Sequence, residues 1–474
     1  MQSVRLWSVR HAHGFLRIYA FLEKYIPWIA PLAKLIGLSR AERVMRPLER
    51  LTKAFLFDCM MCGECVLSST GMACTMNCPK QMRNGPCGGV HGDGGCEVKP
   101  QMRCVWIDAA TGAQNIAGSG AELTTDAMPV LPPRNHVHEG RSSWLQVICG
   151  KPTVEPIRKF SEDDVVVHTP GSLENACHSG RFVVTVEVAP PDSADPAALI
   201  ARAARFRGLV DAINITDGAG GNCHMSSVAA SAILAAHDLI PVYQVACRDR
   251  NRIAIQGDIL GAAALGVQNI LCLTGDDVSQ GDHPEAKPVF DLDAVSLLRI
   301  ARGMCDRGLY ASGRKLDKAP SLFIGATANP FVPPYTDRIL NLEKKVDAGA
   351  QFIQTQFCFD IGMLEKFMLE VRSRELHKRC KIIVGVGTLG SAKALSWMAK
   401  HVPGVHVPAP LLARIAAAAD QKAAAKKVCI ETIQAIAGID GVAGIHVMGH
   451  RNEDVLAEII IESGLRQQQL LQIA

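Results

Sequence analysis

The sequence predicts an α/β protein: a (β/α)8 TIM barrel preceded by a small N-terminal cysteine-rich, metal-binding domain. Three observations predict it. From Phe182 onward, short β-branched runs alternate with longer Ala/Leu-rich stretches, the pattern of βα units. Eight such units fill about 290 residues, which suits a closed parallel barrel better than an open sheet. Eight of the chain's 17 cysteines fall between Cys59 and Cys104, and no signal peptide precedes them. They therefore read as metal ligands in a cytoplasmic protein rather than as disulfides.

Residues 1–55 read as a basic, apolar helical arm, with ten Lys/Arg against three Asp/Glu. Arg17, Glu23, Lys24 and Lys34, with Pro27 and Pro31, interrupt its apolar run from Phe15 to Leu38. A membrane span needs about 20 mostly apolar residues, so this is none. The arm is expected to pack as a helix on the rest of the protein, or else to lie on a membrane surface or dock a partner. Residues 56–110 hold the cysteine cluster. Residues 111–180, with Ala117–Gly120 and Pro129–Pro133, read as a connector of little regular structure. The barrel occupies 181–474. A net charge of +4 and 5% aromatic residues give no sign of a nucleic-acid surface. The scattered cysteines, among them Cys223, Cys247, Cys272 and Cys358, read as core filler.

Eight strands are expected at Phe182–Val188, Leu209–Thr216, Ile240–Ala246, Gln268–Thr274, Ser321–Thr327, Gln351–Phe357, Lys381–Val386 and Gly441–Met448. Helices fall between them, at Pro196–Arg207, Ser226–His237 and Arg252–Leu265 for example; the first opens on Asp195-Pro196, a cap followed by a proline. Barrel chemistry sits at strand C-terminal ends. There stand Glu187, then Asn214 to Asp217, Gln244 and Arg248, Thr274-Gly275-Asp276, and Gln354-Thr355-Gln356. Each one alone is as readily a helix cap as a functional group. Together they suggest a polar mouth. The turn Gly385-Val386-Gly387-Thr388 lies where barrels often bind phosphate, a weak signal on its own.

Over residues 180–465 the chain resembles methylenetetrahydrofolate reductase. The resemblance rests on Ala254-Ile255-Gln256-Gly257-Asp258 through Gly261, Gly266 and Asn269 into Leu273-Thr274-Gly275-Asp276, and on His283 to Asp291. Asn341 to Ala350 and Gln354 to Asp360 complete it. It implies that Glu187 is the general acid that protonates the folate, which needs a proton near neutral pH. It implies that Asp276 tunes flavin and pterin electrostatically, and that Gln356 hydrogen-bonds the pterin, an amide being both donor and acceptor. Thr216, Gln244, Thr274, Gly275, Asp276, Phe290, Ala328, Asn341, Lys344 and Lys345 fall on flavin-binding positions, and Arg451 on a substrate-side position. Gln244 stands where the family usually has a histidine. Arg338, Ala328 and His406–Ile415 also differ from the nicotinamide-linked enzymes.

The candidate metal ligands are Cys59, Cys62, Cys65, Cys74, Cys78, Cys87, Cys96 and Cys104. Thiolates so closely spaced can share a soft metal, and Cys-x2-Cys-x2-Cys with a later Cys-Pro is similar to bacterial ferredoxins. Eight ligands suit two [4Fe–4S] clusters or two four-cysteine zinc sites. Residues 40–110 resemble the cysteine-rich partner subunit of folate reductase in acetogenic bacteria, most specifically at Cys62-Gly63-Glu64-Cys65 and Gly85-Pro86-Cys87-Gly88-Gly89.

The function these resemblances imply is interconversion of 5,10-methylene- and 5-methyltetrahydrofolate in one-carbon metabolism, with hydride passing at the N5 of FAD, or of FMN as the alternative. The electron partner is NAD(P)H or a protein donor, with the cysteine domain as electron carrier. A homo-oligomer is expected. Two other readings stay open: a flavin-free folate-binding methyltransferase barrel, and an electron-transfer or scaffold protein with an inactive barrel.

Overall fold

Strands β1 (Val183–Val188), β2 (Ala212–Ile215), β3 (Pro241–Ala246), β4 (Asn269–Leu273), β5 (Phe323–Ala328), β6 (Phe352–Phe357), β7 (Lys381–Gly387) and β8 (Val442–Met448) pair in parallel, in sequential order, and close with β8 on β1. The computed structural model describes residues 2–118, 120–150, 154–157, 169–387, 390–402, 404–449 and 451–466. All eight expected strands are present, each within three residues of the limits read from sequence. The barrel is the predicted (β/α)8 TIM barrel.

The period-two alternation of each strand divides its residues between two cores. Val184, Val186, Ile213, Ile215, Ile445 and Val447 face outward into the packing under the helices. Val183, Ala212, Val242, Leu271, Phe323, Phe352 and Ile383 form a separate buried layer at the barrel floor, closed by Leu173 on the helix Ser172–His178. Gly325 is required there, because a Cβ at that position would lie 2.4 Å from the Phe352 ring. One step toward the strand C-termini the interior turns polar. Asn214 Nδ2 donates to Gln354 Oε1 (2.6 Å), Gln354 Nε2 donates to Thr185 Oγ1 (3.2 Å), and Thr185 Oγ1 lies 2.9 Å from His446 Nδ1. All four side chains are buried and each has a partner, as a polar layer in low dielectric requires.

Local sequence places the helices. Asn251 accepts from the N–H groups of Ile253 and Ala254 at the start of Arg252–Ala264, and Ser226 caps Ser227–Ala235. Asp195 accepts from Ala197 N–H (2.9 Å) ahead of Ala197–Ala204.

The N-terminal part begins with α1 (Gln2–Arg10), α2 (Ala12–Tyr25), α3 (Ala30–Ile36) and α4 (Leu38–Phe57). The cysteine segment that follows consists mostly of turns, and α5 (Val105–Ala117) ends it. Buried polar contacts fasten the arm: Arg5 pairs with Asp108 on α5 (2.9 Å), and Glu49, itself paired with Lys53 within α4, accepts from Ser143 Oγ (2.5 Å). The stretch expected to be an irregular connector includes the end of α5 and the helices Ser143–Ile148 and Ser172–His178. Asp293 ties the cysteine segment to the barrel. It caps Ala294–Arg307 through Ser296 N–H and also accepts from the N–H groups of Arg83 (2.9 Å) and Asn84 (2.8 Å). Cys247, Cys272 and Cys358 are buried as expected of filler, whereas Cys223 is exposed in the turn after β2 and fills no core. Among the described residues no helix is long and apolar enough to cross a membrane.

Candidate functional site

Above the polar layer the barrel opens into a cavity of about 270 Å³. Inward-facing positions at the strand ends supply its floor and walls: Glu187 from β1, Gln244 and Ala246 from β3, Thr327 from β5, Gln356 from β6, and His446 and Met448 from β8; Ala328, the last residue of β5 and of the opposite parity, also lines it. Thr216, Thr274, Gly275 and Asp276 come from the loops after β2 and β4. Arg338, Asn341 and Lys345, spaced i, i+3, i+7 on the helix Tyr335–Asp347, add one helix face.

Glu187 is partly exposed in this cavity, and its carboxylate lies 4.0 Å from Nε2 of the buried His446. The other ring nitrogen of His446 is held by Thr185. Thr216 Oγ1 is buried with no hydrogen-bond partner among the described residues, an unmet polar atom on the cavity wall. Asp276 is exposed and accepts from Gly220 N–H (3.0 Å). Gln356 Oε1 accepts from Phe357 N–H (3.0 Å), which turns its amide group toward a fixed direction.

The cysteine segment roofs the cavity. Lys80, Asn84, Cys87, Gly88, Gly89 and Glu97 line it from above. Lys80 is ion-paired with Glu97 and donates to Gly275 O at 2.7 Å. Burial disfavours its charge, but the fields of Glu97, Cys87 and Asp276 prevail and hold its pKa above the ordinary value. Arg338 donates to Cys87 O (2.7 Å), Asn341 to Asn84 O (3.4 Å) and Asn329 to Gly88 O (2.8 Å). Burial lowers Arg338 to about 10 and Lys345 to about 8. Backbone carbonyls are the acceptors seen for both: Val332, Pro333 and Cys87 for Arg338, Thr327 for Lys345.

Of the sequence-derived candidates, Glu187, Thr216, Gln244, Thr274, Gly275, Asp276, Ala328, Asn341, Lys345 and Gln356 line this one cavity. Three others lie elsewhere. Lys344 is buried 5.6 Å from the Trp106 ring and does not line the cavity. Phe290 is buried beside Arg83, Pro133 and Asp291. Arg451 is exposed and pairs with Asp192 at 3.3 Å. Of the expected glycine turn, Gly385 to Gly387 belong instead to β7, with Gly387 bordering a separate small cavity, and Thr388 falls outside the described residues. Sequence reasoning missed His446, Arg338, Lys80 and Glu97 as cavity residues. His446 had a signal, a histidine on the inward parity of an otherwise apolar strand. Lys80 and Glu97 had none, since they reach the site only through domain docking.

The eight cysteines sort into two fours. Cys59, Cys62, Cys65 and Cys74 surround one small cavity, together with Glu49 and Lys53 of α4. Cys78, Cys87, Cys96 and Cys104 surround a second, which shares Lys80, Cys87 and Glu97 with the barrel cavity. As the side chains stand, no group of three or more His, Cys, Asp or Glu among the described residues is assembled to hold a metal ion. The thiols ring cavities instead of closing on a point. Burial pushes the Cys78 thiol up to about 12 and raises Cys62, Cys87 and Cys104, while a hydrogen bond with the Cys74 thiol lowers Cys59 to about 7. A bound metal reverses this order by taking the thiolate outright.

The family model described as "Methylene-tetrahydrofolate reductase C terminal" matches residues 38–130. No curated protein matches the chain. Among solved structures, an uncharacterized protein from Clostridium thermocellum that binds two copies of 5-methyl-5,6,7,8-tetrahydrofolic acid is 14% identical, with a TM-score of 0.43 over 61% of this chain and 98% of that one. A 2,3-dimethylmalate lyase is 13% identical (TM-score 0.35; 64% and 86% covered), and an oxaloacetate acetylhydrolase 10% identical (TM-score 0.36; 63% and 87%). Likenesses this distant carry no argument about activity. The family model described as "Methylenetetrahydrofolate reductase", by contrast, matches residues 172–464, which is well over half of the chain and takes in all eight strands and the mouth residues they carry; the chain belongs to the methylenetetrahydrofolate reductase family.

Proposed function

We propose that the protein is a flavin-dependent oxidoreductase that interconverts 5,10-methylene- and 5-methyltetrahydrofolate, with two four-thiolate metal centres in its N-terminal part. One observation carries the reading: Glu187, set against buried His446, opens into the cavity that also holds Gln356, Asp276 and the unpartnered Thr216 hydroxyl. Glu187 holds the proton that the folate must receive for its five-membered ring to open. His446, fixed by Thr185, keeps Nε2 facing Glu187 and orients the carboxyl. Gln356 presents an amide to the pterin edge. The roof of Lys80, Cys87 and Gly88 limits water in the cavity.

The residues present fit a flavin at the ring end. Thr216 offers an unmet hydroxyl, Thr274, Gly275 and Ala328 a wall, and Asn341 and Lys345 polar groups from one helix face. Burial disfavours the charge of Lys345 and Arg338, and an anionic group beside them would stabilise it. When bound, the flavin supplies hydride transfer at its N5. Lys344 takes no part in this cradle. The thiol sets fit metal as well: four ligands each, ringed around one small cavity, with Lys53 beside the first set and Lys80 and Arg338 beside the second as cations to offset thiolate charge. A cluster there would supply one-electron storage next to the barrel cavity, and zinc would supply only a fold. Anaerobic purification followed by iron, zinc and flavin analysis, with a folate turnover assay, tests the reading. Iron and flavin with turnover support it, and turnover without flavin overturns the flavin-dependent part.

A further inference from the structure

We propose that the N-terminal arm is a docking face for an anionic lipid surface. The inference is independent of the folate reading. Of 25 large apolar side chains exposed among the described residues, 15 lie between Trp7 and Phe55. They follow helical periodicity. On α2, Ile18, Phe21, Leu22 and Tyr25 (i, i+3, i+4, i+7) face outward, and on α4 so do Val44, Leu48, Leu51 and Phe55 (i, i+4, i+7, i+11). Between them Trp28 is 79% exposed and Leu35, on α3, 85%. These helices already have buried faces, since Ala12, Ala33, Ala41 and Phe57 pack inward. The outward stripes are second apolar faces with no partner among the described residues.

The charges are sorted with the same precision of side. Eight Lys/Arg of the arm are exposed, including Arg17 and Lys24 on α2, Lys34 on α3, and Arg40, Arg43 and Arg50 on α4. Glu23 is the single exposed carboxylate of the arm. The other two acids are turned inward: Glu49 is buried with Lys53, Ser142 and Ser143, and Glu42 accepts from Ser142 N–H (2.6 Å). An apolar stripe flanked by long cationic side chains and carrying Trp and Tyr is built to lie in the headgroup boundary. There the rings enter the interface and the cations meet lipid phosphates. A second copy of this chain fits poorly, because a two-fold contact would set the same cations against each other. The inner side of α4 contributes Glu49 and Lys53 to the wall of the Cys59 thiol site, so docking would bring that site close to the bilayer.

The test is vesicle flotation of the full-length protein, purified with its metal, on phosphatidylcholine alone and on phosphatidylcholine mixed with phosphatidylglycerol, with light scattering of the free protein alongside. Binding is expected on the mixed vesicles at about 0.1 M salt, weakened roughly tenfold at about 0.5 M. Arg40→Glu with Arg43→Glu and Arg50→Glu should lower it at least as much. So should Trp28→Ser with Leu35→Ser, on the opposite ground of lost apolar contact. Both variants should keep the wild-type far-UV spectrum and metal content. No binding to the mixed vesicles, equal binding to neutral ones, or a dimer that the Trp28 and Leu35 changes dissociate would each overturn the proposal.

Discussion

Replacing Lys344 with methionine should stabilise the flavin-free protein at neutral pH. The lysine is fully enclosed, and burial is the largest influence on it; Asp293, Asp337 and Glu343 offset this only in part, leaving its pKa at about 8 against an ordinary 10.5. At 1.36 kcal/mol per pH unit, that gap corresponds to about 3 kcal/mol of strain in the charged form. Methionine keeps the length of the stem and gives up the contact of the ammonium with the Trp106 ring, which is worth roughly 0.5–2 kcal/mol. The net expectation is a gain of about 1–3 kcal/mol at pH 7. The sign follows from proton counting. The folded pKa lies below the unfolded one, so between the two the unfolded chain binds more protons and wild-type stability rises with pH. The penalty is complete below about 8 and gone above 10.5, so the advantage of the variant should shrink across that window. Urea unfolding followed by circular dichroism, anaerobically with reductant, at pH 7 and near pH 10 measures both. A variant less stable than wild type at pH 7 would refute the reasoning, because it would mean that an anion already compensates Lys344.

Two further outcomes follow from the site. Asp276→Asn should leave the fold and flavin content unchanged while shifting folate affinity and flavin potential, since it removes a charge at the cavity edge and keeps the shape that accepts Gly220 N–H; titration and potentiometry that both match wild type would make Asp276 a loop brace only. Cys62→Ser and Cys96→Ser should each remove about half of the bound metal, because the two residues belong to different sets of four. Loss of all the metal in either variant, or of none, would contradict the division.

How much of this was legible in the sequence differs by region. The strands were, because Val183 to Val188 is a largely β-branched run, and it and Ala212 to Ile215 are short segments buried on both faces, a signal carried by a few adjacent residues. Glu187, Thr216 and Gln356 were legible too, since strand-end position predicts mouth position in a barrel. The roof was not. Lys80 meets Gly275 across 195 positions, and nothing near Lys80 announces that contact. The same docking explains Lys344: Trp106 covers that side of its helix, so a lysine matched to a flavin position packs under the cysteine domain instead. Arg451 departs for a local reason, an exposed pairing with Asp192 outside the cavity. The inward orientation of Glu42 and Glu49, which leaves the arm almost purely cationic outside, is likewise set by Ser142 and Ser143, about a hundred positions away.

In the function proposed above, Glu187 is the acid of a folate-reducing barrel. The most direct measurement compares wild type with Glu187→Gln, each purified anaerobically, for flavin content and for turnover of 5,10-methylene- and 5-methyltetrahydrofolate with an artificial electron carrier. Equal flavin is expected in both, with turnover lowered roughly 10²–10⁴-fold in the variant, the usual scale for loss of a general acid. Wild-type turnover in the Gln variant would contradict it.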